Sequence, residues 1–193
     1  MSTSKSSISR RKAMAGIGAG GLGVALAVSS TRAAQTMSLA DHPMTGVWLA
    51  MANPPLPDDP QVAAPSIFGA DGTVLLSVPI TQAGQQGVQF NSPYVGIWEA
   101  YDERTAHFTA VQMLSDASGA YLGTVTVDGH PKVSEEGLTF VDDGSLVTVT
   151  IRDAAGAVVV VVPPGTPGRP VTGIKMRVGN PGFPGAEDAT PVS

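Results

Sequence analysis

Few side chains in this sequence are equipped for chemistry, and fewer are spaced for it. None of the 193 residues is cysteine, which excludes disulfides, thiol nucleophiles and thiolate metal sites. Three histidines, His42, His107 and His130, are zinc-capable side chains. None sits in a His-x-His unit or at helical spacing, His42 lies in a polar lead-in, and His130 precedes Pro131 in a turn, so no metal site is expected. Carboxylates are adjacent at Asp58-Asp59, Glu135-Glu136 and Asp142-Asp143. All three pairs fall in turn-like contexts where water solvates both groups, and none supplies the roughly six oxygens that calcium takes. No Gly-x-Ser-x-Gly elbow, phosphate-cradling loop or zinc-protease motif is present.

What remains are aromatic and amide side chains on strand-like stretches. In Thr105–Leu114 the even positions are Ala106, Phe108, Ala110, Gln112 and Leu114. That face is the more apolar and is expected to point inward, carrying Gln112 with it. A buried amide must find hydrogen-bond partners, so it serves either the structure or a ligand. His107 then points outward. Trp48, Trp98, Tyr101 and Tyr121 join Phe108 and Gln112 as the candidate lining of a ligand pocket; the alternative is that the aromatics only fill the core. Glu99 faces out if Trp98 faces in, and only a bulge would turn it into a general acid or base.

The elements that must position these residues read as strands. Apolar residues alternate with polar ones or form short β-branched runs bounded by turn residues. Gly46–Met51 is followed by a Pro54-Pro55-Leu56-Pro57 stop, and Ala70-Asp71-Gly72 separates two apolar runs as hairpins require. Asp116-Ala117-Ser118-Gly119 and Asp153-Ala154-Ala155-Gly156 repeat the punctuation, with Asp bonding the following amides and Gly ending the turn. Further turns fall at Asp102–Arg104, Ser134–Gly137 and Asp142–Gly144, and Val171–Val178 makes the last strand. The expectation is a single all-β domain over residues 45–178, an antiparallel meander of eight to ten strands closed as a barrel, which hides its edges. An open β-sandwich is the alternative.

Charge divides the chain in two. Residues 1–34 hold Lys5, Arg10, Arg11, Lys12 and Arg32 and no acid, leaving six of the 11 basic residues and all 16 acidic ones to the remainder. That excess of acid, with its cations scattered, argues against nucleic acid, which needs clustered Lys and Arg. After Lys12 comes an uncharged run, Ala13 to Val28, shorter than the roughly 20 apolar residues of a stable membrane span. A basic start, a short apolar middle and Ala33-Ala34 form a removable export signal. The adjacent Arg10-Arg11 resembles a twin-arginine (Tat) signal; the alternative is an ordinary secretory signal. The resemblance implies the Tat machinery as a partner of the precursor and a mature protein in the periplasm, on the outer envelope or secreted. Residues 35–44 are expected to be a flexible lead-in and 179–193 a disordered Gly/Pro-rich tail.

Two strands open with one unit, Gly46-Val47-Trp48 and Gly96-Ile97-Trp98. A Gly-x-Trp at the mouth of the first strand resembles the lipocalins and wider calycin barrels. The resemblance implies a tryptophan that plugs the closed end against a cation of the last strand, here Arg177 or Lys175. Gly96-Ile97-Trp98-Glu99, Phe108 to Gln112, Asp116 to Gly119 and Gly123 to Val127 also resemble small exported bacterial proteins shaped like allene oxide cyclase barrels. These likenesses imply a fold more than an activity. The first expectation is an exported barrel binding a small apolar or amphipathic molecule inside, without cofactor. The alternatives are a cofactor-free isomerase or cyclase and a structural protein with a filled core.

Overall fold

The computed structural model describes residues 38–53, 60–84 and 87–179. The expected signal at 1–34, the start of the lead-in, the proline stop, Asp58-Asp59 and the tail from 180 onward lie outside the described residues. Thirteen strands follow in chain order: β1 (Gly46–Ala52), β2 (Val62–Phe68), β3 (Thr73–Leu76), β4 (Thr81–Gly84), β5 (Gly87–Asn91), β6 (Tyr94–Ala100), β7 (Ala106–Ser115), β8 (Tyr121–Gly129), β9 (Lys132–Val133), β10 (Thr139–Asp142), β11 (Thr148–Asp153), β12 (Val158–Val162) and β13 (Val171–Lys175). No α-helix occurs among the described residues, only a 3-10 turn at Leu39–Asp41.

All the strands belong to one antiparallel sheet that curls into a half-barrel. Its path runs β12-β11-β8-β7-β6-β3-β2-β1-β13-β10-β9, with the β4–β5 hairpin branching from the far end of β7. The order departs from a pure meander in three places. The last strand inserts between β1 and β10, β8 pairs with β11 across two intervening strands, and β3 pairs with β6 across a hairpin. At the end of the path, β9 is also bonded to the chain just before β7. Thr105 bridges Lys132, the Ala106 amide donates to Pro131 O at 3.0 Å, and the Val133 amide donates to Arg104 O at 2.9 Å.

The count exceeds the eight to ten strands expected, for local reasons. β2 starts at Val62 although Pro65 lies inside it, and an internal proline argues against a strand. The β4–β5 hairpin dilutes Thr81, Val88 and Phe90 with Gln, Gly and Ala, which weakens its strand pattern. The turns were read correctly. At Asp116, one carboxylate oxygen accepts from Ser118 N and Ala120 N, and Gly119 takes φ +83°. At Asp153, the same oxygen accepts from Ala155 N and Ala157 N.

Strand alternation sorts side chains into an inner and an outer set. Along β7 the even positions Ala106, Phe108, Ala110, Gln112 and Leu114 are all buried, as expected. Inside, large and small residues segregate along the strand direction. Trp48, Phe68, Trp98, Phe108 and Phe140 interlock edge-to-face at 5.2–5.8 Å between centroids. They fill one end of the curl. Further along the same inner faces come Ala50, Ala52 and Ala64, and there the interior is hollow. Two of the rings lie flat over glycines of the neighbouring strand, Phe108 over Gly129 and Phe140 over Gly173. A Cβ at Gly173 would come within 2.2 Å of the Phe140 ring, so these glycines make the tight packing of the filled end sterically feasible.

Candidate functional site

The filled end is sealed by residues 38–44, expected from sequence as part of a flexible lead-in. His42 and Met44 are buried there at 2% and 0% exposure. The Trp48 indole N–H donates to Met44 O at 2.8 Å, the Met44 amide to His42 Nδ1 at 3.1 Å, and His42 Nε2 lies 3.0 Å from Asp102 O. Lys175, from the last strand, sits 5.2 Å over the Trp48 ring and donates to Pro43 O at 2.8 Å. Burial and the nearby Arg177 charge push its pKa down. These contacts make a lid of indole, imidazole and ammonium, each polar atom partnered by backbone. Trp98 belongs to the same end, its N–H donating to Gly69 O at 2.8 Å. Both tryptophans are structural here and neither lines the hollow.

The hollow end is the candidate site. A cavity of about 570 Å³ opens between Ala50, Ala64, Tyr94, Phe108, Gln112 and Asp142, with Arg169 at its rim. Its walls are mainly aliphatic, from Val62, Leu76, Val127, Val149 and Ile151. That volume falls within the range of pockets for small organic ligands, roughly 300–1,000 Å³, and the mix of apolar wall and few polar groups is the usual one. The cavity exists because the inward residues of β1 and β2 shrink from Trp and Phe to Ala along the strands. Nothing large reaches across.

Several of its polar groups have partners, while the buried Asn91 Oδ1 has none among the described residues. Gln112, 1% exposed, donates from Nε2 to Ser92 O at 2.9 Å. Asn91 donates from Nδ2 to Pro79 O at 3.1 Å and to Gln82 Oε1 at 3.0 Å. Tyr94 is buried, and desolvation pushes its pKa up to about 12. Asp142 accepts from His130 N at 2.8 Å and from Gly144 N at 3.2 Å. Burial raises its pKa against the pull of those two amides, so the cavity holds a carboxyl that takes up a proton more readily than a surface one.

Comparison with family models, with curated proteins and with solved structures finds no match to this chain. Any functional reading therefore rests on the geometry alone.

Of the six residues expected to line a pocket, Phe108 and Gln112 do so together. Trp48 and Trp98 lie in the sealed end. Tyr101 and Tyr121 are outside, 62% and 48% exposed. Tyr101 has the opposite parity to Trp98 and follows the end of β6, beside a second, more open groove of about 540 Å³ with Arg104, His130 and Lys132. Tyr121 starts β8 where the register with β7 slips at Leu114/Ser115, so its ring projects past the curl. Asp142 is the residue the sequence reading misplaced. It was read as half of a solvated turn pair, yet it is 7% exposed and lines the cavity. The available signal was alternation: Asp142 shares a face with Phe140 two residues earlier.

A second cluster of titratable groups lies on the outer face. His107 Nδ1 is 3.2 Å from Glu99 Oε1, and its Nε2 is 3.1 Å from Asp128 Oδ2, which also accepts from Thr109 Oγ1 at 2.7 Å. Burial opposes the imidazolium, but the two carboxylates outweigh it and raise the His107 pKa. His107, Asp128 and His130 are close enough to suggest metal ligands. The two rings, however, stack at 4.4 Å and 7°. An ion bound by both must lie in both ring planes, and nearly parallel planes share no nearby point. As placed, the cluster is a histidine ring clamped by two carboxylates and stacked on a second ring, with Glu99 outward as expected.

Proposed function

We propose that this chain binds a small amphipathic molecule in the hollow end of a calycin-like barrel, and that it does so after export. The observation that carries the reading is the cavity itself, about 570 Å³ of mainly aliphatic wall with Gln112, Tyr94 and Asp142 at separate points. A filled core would have spent that volume on side chains. The double bonding of β9, to β10 on one edge and to Thr105 on the other, supports closure of the half-barrel. The Lys175–Trp48 stack is the arrangement that the calycin resemblance implies. The basic, acid-free residues 1–34 support export by a twin-arginine route, tested by the amino terminus of the protein recovered from the envelope or medium.

Calorimetric titration with single-chain alcohols and carboxylic acids of increasing length tests the binding. Each buried methylene strengthens binding by about 0.8 kcal/mol, so affinity rises stepwise at one site per chain until the cavity is full. Heats that never saturate, or affinities indifferent to chain length, would refute the reading.

One observation favours a second reading, a cofactor-free isomerase or cyclase. Asp142, whose pKa is raised by burial, and Tyr94 place a carboxyl and a phenol in a mainly aliphatic chamber, which such chemistry uses. An Asp142→Asn variant that still binds but no longer turns over a bound ligand would support it.

A further inference from the structure

The outer face of the curl carries a feature that the cavity does not explain. Pairing registers place Val47 opposite Ile67, Ile67 opposite Leu75, Leu75 opposite Val95, and Val95 opposite Val111. One unbroken row of five aliphatic side chains thus crosses β1, β2, β3, β6 and β7. Each is 37–58% exposed. Ile97 and Met113, two residues along from Val95 and Val111, widen it at 71% and 59% exposure. No charge interrupts the row. On the β6–β7 side charge resumes beyond Ile97, at Glu99, His107 and Asp128. An apolar centre with a polar rim is how a protein interface is built.

We propose that this face is a contact surface between two copies of the chain. The patch itself carries no charged side chain, so a second copy can meet it without desolvating charge. Two further points bear on the occupant. A two-fold contact brings the same patch to itself, so a row of aliphatic residues along the hydrogen-bonding direction meets a row of the same chemistry. The seven side chains present on the order of 600–700 Å² of surface, close to the roughly 800 Å² that each partner gives to a stable interface.

Sedimentation velocity on the 193-residue chain, from about 1 to 100 μM, tests this. The expected result is a dimer, or a larger closed assembly, at the upper concentrations. Val95→Glu puts carboxylates against each other at the centre of the contact and weakens association at least about 100-fold. Val88→Glu, on the β4–β5 hairpin and 57% exposed, leaves association unchanged. Both positions face solvent, and circular dichroism confirms that each variant keeps its sheet. A wild-type monomer at every concentration would overturn the proposal. So would an assembly that Val95→Glu leaves intact, or one that Val88→Glu disrupts equally.

Discussion

Replacing Ala64 by Phe separates a real chamber from an artefact of loose packing. Ala64 is 2% exposed and lies on the inner face of β2 opposite Ala50, with the cavity beyond its methyl group. A phenyl ring there adds on the order of 100 Å³, a fraction of the 570 Å³ present. In a close-packed core that addition would cost about 1–3 kcal/mol in strain. Here the ring enters empty space and buries about 100 Å² of apolar surface, worth up to about 2.5 kcal/mol. Restricting its rotamers takes back about 0.5–1 kcal/mol. The net expectation is a stability unchanged or raised by up to about 2 kcal/mol in urea unfolding, with at least a tenfold loss of affinity for any cavity ligand. A variant destabilised by 2 kcal/mol or more would show that the space is not there. A stable variant that binds as tightly as wild type would show that the ligand sits elsewhere.

Three further outcomes follow from the same structure. Gly96→Ala would place a Cβ 2.0 Å from the Thr109 carbonyl oxygen on the paired strand, so β6 and β7 must part; a loss of about 2–3 kcal/mol is expected in denaturant unfolding, the scale of a strained core. His107 has a raised folded pKa, so its stabilising contribution is complete below its unfolded value of 6.5 and is lost as pH rises through the higher folded value. Stability should fall by about 0.5–1 kcal/mol on that rise, and His107→Gln should flatten the pH profile. Asp142 also has a raised pKa, and its effect has the same sign, present below its unfolded value of 3.8 and lost as pH rises past it. Asp142→Asn removes the buried charge but keeps an acceptor for only one of the two amides, which bond different oxygens, and should lose less than Asp142→Ala, which orphans both and should lose about 1–3 kcal/mol.

Much of the fold could be read from local pattern. The Asp-x-x-Gly turns specify their own hydrogen bonds, so Asp116 and Asp153 gave their hairpins without tertiary information. The even face of β7 was legible because its alternation runs unbroken through ten residues, and it led directly to Phe108 and Gln112. The β4–β5 hairpin was not legible, and β2 was legible only beyond its internal Pro65. The cavity was harder to see. A hollow depends on which small residues meet across strands, and Ala50 opposite Ala64 is a pairing that neither strand encodes alone. Asp142 was hidden by its neighbour, since an Asp-Asp-Gly sequence reads as a solvated turn whichever carboxylate points inward. Tyr101, of opposite parity to Trp98, lines the open outer groove with Arg104, His130 and Lys132 instead of the inner cavity.

Native mass spectrometry of the protein isolated from its own host tests the central claim most directly. The account predicts one copy of a non-peptide molecule retained per chain, lost from the Ala64→Phe variant prepared in the same way. Bare wild-type chains that also fail to take up any added amphiphile would contradict it.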